Sequence, residues 1–272
     1  MPKDELNAVV TQRLEVTPDL IILRVVPDGW ELPAFEAGQF GVIGLPPEAP
    51  RTEYSDPGED YEKPQRGLIR RAYSIASSSV ATEYLEFYIT LVRSGALTPR
   101  LFALEIGDRL WLGPKITGMF TLQDVPPNKN VVMVATGTGL APYMSMLRTY
   151  LKENTERRFV VLHGARHSWD LGYRSELEMM QDLCANFIYI PQISRPANEH
   201  VAWSGYTGYV QNLWTDGPLD EVWGGHPTPE DTHVFVCGNP YMCDDVTEIL
   251  VSEGFKEHKR RDPGQIHIER YW

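Results

Sequence analysis

The chain has 272 residues, with 25 basic against 37 acidic side chains and a formal charge of −12. That length suits one large or two medium domains with a core that needs no disulfide staples. The acidic total argues against a nucleic-acid binder, no apolar run reaches the ~20 residues of a membrane span, and three cysteines (Cys184, Cys237, Cys243) are too few for a four-thiolate iron–sulfur cluster.

The opening Met1-Pro2-Lys3-Asp4-Glu5 does not read as a secretory signal, and few cysteines suit a reducing cytoplasm. Short β-branched and apolar runs then follow one another: 8–16, 20–26, 39–45, 72–76, 85–92 and 109–112. Glycine and proline separate them, a rhythm that predicts a closed antiparallel barrel. Residues 46–67 interrupt it with a polar, proline-rich excursion too long for a plain hairpin. After Pro126-Pro127 the pattern changes. Strands at 130–135, 159–163, 187–193, 233–236 and 265–269 alternate with helices from Pro142 to about Leu151, over 174–183 and from about Tyr241 to Val251. Such alternation implies a doubly wound parallel α/β sheet. Two domains are therefore expected, 1–126 and 127–272.

The second domain begins with strand, glycine turn and helix start: Val131 to Ala135, then Thr136-Gly137-Thr138-Gly139, then Pro142. Glycines let a backbone approach a phosphate, the helix start offers free N–H groups, and proline in the first turn forfeits no bond. An ordinary tight βα turn would look the same, and the motif is not a full G-x-G-x-x-G. The ends of the later strands add Ala165-Arg166, Ser194-Arg195 and Gly238-Asn239. Ligands of open α/β sheets sit at such carboxyl ends, and guanidinium groups there suit a 2′-phosphate, hence NADP over NAD.

In the first domain, Arg70-Arg71-Ala72-Tyr73-Ser74 puts a cation, an aromatic ring and a hydroxyl on one strand. Alternation sends Arg71 and Tyr73 to one face, Ala72 and Ser74 to the other. The set suits FAD: Arg71 for the pyrophosphate, Tyr73 for the ring plane, Ser74 for the ring nitrogen. A barrel strand with an exposed arginine and a half-buried tyrosine is the plainer reading. Gly95-Ala96-Leu97-Thr98-Pro99 is a second glycine turn feeding a helix.

Taken with Ala37-Gly38-Gln39-Phe40, Gly107-Asp108, Cys237-Gly238-Asn239-Pro240 and the terminal Glu269-Arg270-Tyr271-Trp272, these segments resemble the ferredoxin–NADP reductase family, bacterial type, over most of the chain. The resemblance implies an FAD-binding barrel and an NADP-binding α/β domain whose aromatic tail returns to the flavin. It implies that Arg71, Ala72, Tyr73, Ser74 and the turn Ala96-Leu97-Thr98 hold FAD. Tyr88-Ile89-Thr90 would line its adenosine half, with Thr138 at the glycine loop and Tyr271 and Trp272 stacking on flavin and adenine. For NADP it implies Gly137, Thr138, Gly139, Pro142, Ala165, Arg166, Ser194, Arg195, Tyr209, Cys237, Gly238 and Asn239. Ser74, Cys237, Glu269 and Tyr271 would serve the hydride step, and no metal is expected. Tyr209 stands where bacterial relatives often place a third arginine, and Thr207 where a plant-type lysine would accompany such a tyrosine.

The implied activity is electron exchange between NADP(H) and a one-electron carrier, ferredoxin or flavodoxin, by a cytoplasmic monomer or weak dimer. A flavoprotein reductase serving an oxygenase, a cytochrome or free flavin is the alternative. Acidic carriers would need local cations on this acidic chain, and Arg70, Arg93, Arg100 and Lys259-Arg260-Arg261 are the candidates.

Overall fold

The structure, a computed structural model, describes residues 5–57 and 67–270. The chain divides between Thr121 and Leu122, ahead of the Pro126-Pro127 pair, and each unit has its own core.

The first unit contains β1 (Ala8–Thr17), β2 (Leu20–Pro27), β3 (Phe40–Leu45), β4 (Ile69–Ser74), β5 (Leu85–Thr90), a five-residue helix α1 (Thr98–Phe102) and β6 (Arg109–Leu112). The strands form one antiparallel sheet in the order β4-β3-β6-β1-β2-β5. The two edges meet where Ile75 bridges Phe87 and the Ala76 amide donates to the Glu86 carbonyl at 2.8 Å, which closes the barrel. Alternate residues point inward: Ile21, Leu23 and Val25 from β2, Leu85, Phe87 and Ile89 from β5. β4, which carries Arg70 and Arg71, starts at Ile69, earlier than the sequence pattern predicts, because Ile69 to Ser74 pair residue by residue with β3.

The second unit contains β7 (Asn130–Thr136), a tight 3-10 turn over Gly137–Leu140, α2 (Ala141–Tyr150), β8 (Phe159–Ala165), α3 (Arg174–Leu183), β9 (Phe187–Ile193) and β10 (Tyr206–Thr207). Then come α4 (Asn212–Thr215), α5 (Pro218–Trp223), β11 (Thr232–Gly238), α6 (Pro240–Ser252) and β12 (Ile266–Arg270). The sheet is parallel, in the order β10-β9-β8-β7-β11-β12. Helices cover such a sheet on both faces, which is why its strands read as continuous apolar runs. The order reverses between β7 and β11, and the carboxyl ends flanking such a reversal are where ligands of this architecture bind. Two side chains fix the first helices of that region. Tyr143 of α2 donates to the Val134 carbonyl at 3.0 Å, and the Asn239 side chain caps α6 by accepting from the Tyr241 amide.

The amino end of β12 carries three histidines brought from separate segments. The His267 ring stacks on Phe235 at 4.3 Å and on His258 at 4.5 Å, and its Nε2 lies 3.0 Å from Nδ1 of His233. Burial, then the charge of His258, pushes His267 down to about 3, and burial with the same neighbour pushes His233 down to about 4. In β8, burial alone pushes His163 down to about 3; its Nδ1 lies 3.0 Å from the Tyr189 hydroxyl.

Candidate active site

At the reversal, the end of β11 lies so close to the end of β7 and the turn that follows it that only glycine fits at 139 and 238. A Cβ on Gly139 would lie 2.5 Å from the Cys237 carbonyl carbon and 2.8 Å from the Gly238 nitrogen. Gly238, at φ +140, would press a Cβ on the Thr136 backbone, and the Thr136 hydroxyl accepts from the Asn239 amide at 3.1 Å. Gly137 is the looser member, with φ +55, an exposed surface and open space where a Cβ would stand. Thr138 is half-buried beside it, and Pro142 is buried in α2.

The ends of β8, β9 and β10 bring the remaining nucleotide candidates together. The Ser194 amide donates to Ala165, the Arg195 amide to Arg166 and the Gly208 amide to Ile193, each at 2.9 Å. Arg166, Ser194, Arg195 and Tyr209 thus share one rim. The Arg166 side chain is 57% exposed and pairs with Asp170 at 3.2 Å, a surface contact that an incoming phosphate can displace. Arg195 is exposed, as is Tyr209 at 69%. Two cations and a hydroxyl side by side fit a phosphate monoester.

This rim has a support that the sequence does not reveal. The Glu199 carboxylate accepts from the Ser168 amide at 2.8 Å and from its hydroxyl at 2.6 Å, and that hydroxyl bond leads the effects holding its carboxyl below the usual carboxylate range. Trp169 is stacked between His167 at 4.5 Å and His200 at 5.4 Å. The segments carrying Arg166 and Arg195 are therefore fastened to each other on both sides of the rim.

Cys237 has no exposed surface and stands in register with Ala135 and Glu269. Burial pushes the neighbouring Cys243 thiol up to about 11, against the pull of Arg270. Burial, followed by Cys237, Cys243 and Glu269, drives the Tyr143 hydroxyl well above its ordinary range. Glu269 is half-buried near the carboxyl end of β12. Tyr271 and Trp272 lie outside the described residues.

In the barrel, Arg71 and Ala72 of β4 are exposed, Tyr73 is half-buried and Ser74 is 4% exposed. Strict alternation does not describe their surroundings. Tyr73 leans on the barrel core, edge-on to Phe87 at 6.4 Å, and burial drives its hydroxyl well above its ordinary range. The Arg71 guanidinium bonds the Arg70 carbonyl at 2.7 Å and is otherwise presented outward. Tyr88, Ile89 and Thr90 follow one another on β5, but the Ile89 side chain belongs to the barrel core, as does that of Leu97. Only their main chains can face a ligand. The Ala96 and Leu97 amides donate to no described residue.

The cations expected to meet a partner are partly committed. Arg100 bonds the Ala96 carbonyl at 2.6 Å and the Pro47 carbonyl, Arg93 pairs with Asp19 at 3.1 Å, and Arg70 lies 4.0 Å over Trp111. Lys259-Arg260-Arg261 forms a turn leading into the amino end of β12. That end is opposite the glycine loops.

An antiparallel barrel followed by a parallel sheet with its glycine loop at the reversal is the architecture of two-domain flavoprotein oxidoreductases. Comparison with known proteins narrows the class. Residues 133–248 match a family profile described as an oxidoreductase NAD-binding domain. The chain is 33% identical over 241 residues to a flavodoxin/ferredoxin–NADP reductase of Buchnera aphidicola, covering 88% of each. It is also 33% identical over 246 residues to a ferredoxin–NADP reductase of Azotobacter vinelandii, covering 87% of this chain and 86% of that one. A crystal structure of a ferredoxin NADP+ reductase from Neisseria gonorrhoeae with bound FAD and NADP superposes with a TM-score of 0.80 at 26% identity, covering 98% of both chains. The chain belongs to the ferredoxin–NADP reductase family.

Proposed function

We propose that this chain is an FAD-dependent oxidoreductase that exchanges electrons between NADP(H) and ferredoxin or flavodoxin. The observation that carries the NADP assignment is the rim at the ends of β8, β9 and β10, where Arg166 and Arg195 stand beside Ser194 with both guanidinium groups exposed. A bare ribose diol has no use for two cations, whereas a 2′-phosphate does. Tyr209 offers a flat face beside them for the adenine, and the Gly137 to Gly139 turn lets the main chain approach the pyrophosphate.

For FAD, the residues present fit the group: an outward guanidinium on Arg71 and unspent amides at Ala96 and Leu97 suit a diphosphate. In this reading Tyr73 stacks on the ring plane and Ser74 hydrogen-bonds the ring nitrogen. Bound FAD would supply the two-electron to one-electron conversion, and the protein's work is to bind and orient it. Cys237 and Glu269 complete the reading, as a thiol near the nicotinamide and a carboxylate that tunes protonation. Among the described residues no helix is long and apolar enough to cross a membrane. A cytoplasmic monomer or weak dimer belongs to the same proposal.

The test is steady-state oxidation of NADPH and of NADH by the purified flavoprotein, first with ferricyanide and then with oxidised ferredoxin or flavodoxin as the acceptor. The reading expects turnover with NADPH alone, at least ~100-fold preference over NADH, which corresponds to about 2.7 kcal/mol, and electron exchange with at least one carrier. Equal use of both nucleotides would overturn the phosphate assignment. Transfer only to a cytochrome, an oxygenase or free flavin would overturn the carrier assignment.

A further inference from the structure

The 46–67 excursion has no part in the reading above, yet its described half is laced to the turn assigned to the FAD diphosphate. The Arg51 guanidinium donates to the Gly95 carbonyl at 3.2 Å and the Arg93 carbonyl at 3.1 Å. The Thr52 amide donates to the Pro99 carbonyl at 2.9 Å, and the Asp56 amide to the Arg93 carbonyl at 3.1 Å. Arg100 reaches the opposite way, from α1 to the Pro47 carbonyl, while its Nη1 takes the Ala96 carbonyl at 2.6 Å. Ala49 packs against the barrel core and seats the excursion.

These bonds select one orientation for the turn. In a trans peptide the C=O and the following N–H point in opposite directions across a rigid plane. Drawing the Gly95 carbonyl toward Arg51 therefore turns the Ala96 amide away from Arg51. Drawing the Ala96 carbonyl toward Arg100 does the same for the Leu97 amide. From the other side, Thr98 Oγ1 accepts from the Val92 amide at 3.0 Å and donates to the Val92 carbonyl at 3.1 Å, and the Gly95 amide donates to Val92 at 2.8 Å. The carbonyls of Val92, Arg93, Gly95, Ala96 and Pro99 are all taken, while the Ala96 and Leu97 amides have no described acceptor.

We propose that Arg51, carried on the excursion, is a positioning residue for FAD: by holding the Arg93 and Gly95 carbonyls it aims the Ala96 amide at the flavin diphosphate, beside the Leu97 amide that Arg100 orients. The excursion is thus a brace for the cofactor's phosphates. This rests on the assignment of that turn and of Arg71 to FAD. A preset donor costs no reorganisation when the anion arrives, and the free turn would otherwise lose conformational entropy on binding.

The experiment compares Arg51→Ala, Arg51→Lys and Arg71→Ala as full-length proteins. It measures the dissociation constant for FAD by flavin fluorescence on the stripped protein, and the phosphorus-31 resonances and visible absorption of bound FAD. Arg51→Ala is expected to weaken FAD at least tenfold and to move the diphosphate resonances, with the visible band shape unchanged because the ring contacts are elsewhere. Arg51→Lys, which reaches one carbonyl and not two, should fall between. Wild-type affinity and resonances in Arg51→Ala would overturn the proposal. So would a weakening that shifts the visible bands and leaves the phosphorus signals in place, since that is general loosening of the barrel. If Arg51→Ala does not fold, wild-type behaviour of Arg51→Lys overturns it equally. Arg71→Ala separates the two claims: undiminished FAD binding there would overturn the site assignment itself, whatever Arg51 does.

Discussion

Replacing Gly139 with alanine would place a methyl carbon 2.5 Å from the Cys237 carbonyl carbon. Carbon atoms rest at about 3.5 Å or more, so the glycine turn would have to move about 1 Å off the end of β11. Both partners are main chain, and no side-chain rotation relieves the overlap. The last rung of the ladder, Ala135 with Cys237, and the 3.1 Å bond from the Asn239 amide to Thr136 are the interactions at risk. Overpacking costs about 1–3 kcal/mol and each lost hydrogen bond about 1 kcal/mol, so a loss of about 2–4 kcal/mol is expected. For a unit of this size that lowers its melting temperature by roughly 5–15 °C. Gly137→Ala meets no neighbour and carries only the left-handed backbone penalty of about 1–2 kcal/mol. Urea and thermal unfolding of the two variants, with NADP+ affinity by calorimetry, give the comparison. Gly139→Ala should be the less stable of the two and should bind NADP+ at least tenfold more weakly than wild type. A Gly139→Ala protein with wild-type stability and affinity would refute the close approach of the glycine turn to the end of β11.

Removing one phosphate-facing guanidinium forfeits a charged hydrogen bond of about 1.5–3 kcal/mol. Arg166→Ala and Arg195→Ala should therefore each raise KM for NADPH by roughly tenfold or more while leaving KM for NADH unchanged, read by initial rates with ferricyanide. Equal effects on both nucleotides would place the arginines elsewhere. His163, His233 and His267 give a pH dependence of stability. Their unfolded imidazoles take up protons below pH 6.5, whereas burial keeps the folded ones neutral down to about 3, 4 and 3. Acid therefore favours the unfolded state, and between pH 6.5 and 4.5 stability should fall by about 1.4 kcal/mol per pH unit for each fully linked histidine. Denaturant melts across that range measure the slope, and a flat profile would contradict the buried stack.

The barrel and the wound sheet were legible because each has a hydrophobic period of its own: alternation in β2 and β5, continuous apolar runs in β7 and β8. The glycine loop was legible because strand, glycines and Pro142 occur in one continuous stretch. Shorter elements were not. β10 has two residues, α4 four and α5 six, below the length at which periodicity registers. Alternation placed Arg71 and Tyr73 on one face but could not show that Tyr73 leans against the core, since that depends on Phe87 from a neighbouring strand. The resemblance likewise implied Ile89 and Leu97 as ligand contacts; their side chains belong to the barrel core, which leaves their main chains for a ligand. The excursion left no pattern to read. Its hold on the turn runs through main-chain carbonyls, which every residue possesses, and only Arg51 and Arg100 mark the place. The histidine stack joins positions 233, 258 and 267, and no local spacing announces it.

The central claim is that the barrel holds a flavin that NADPH reduces directly. The most direct measurement is the visible spectrum of the purified protein during an oxygen-free titration with NADPH. A yellow protein whose flavin absorbance bleaches with about one equivalent of NADPH, and scarcely with the same amount of NADH, is the predicted result. A protein that remains colourless after incubation with FAD, or a bound flavin that NADPH leaves oxidised, would contradict it.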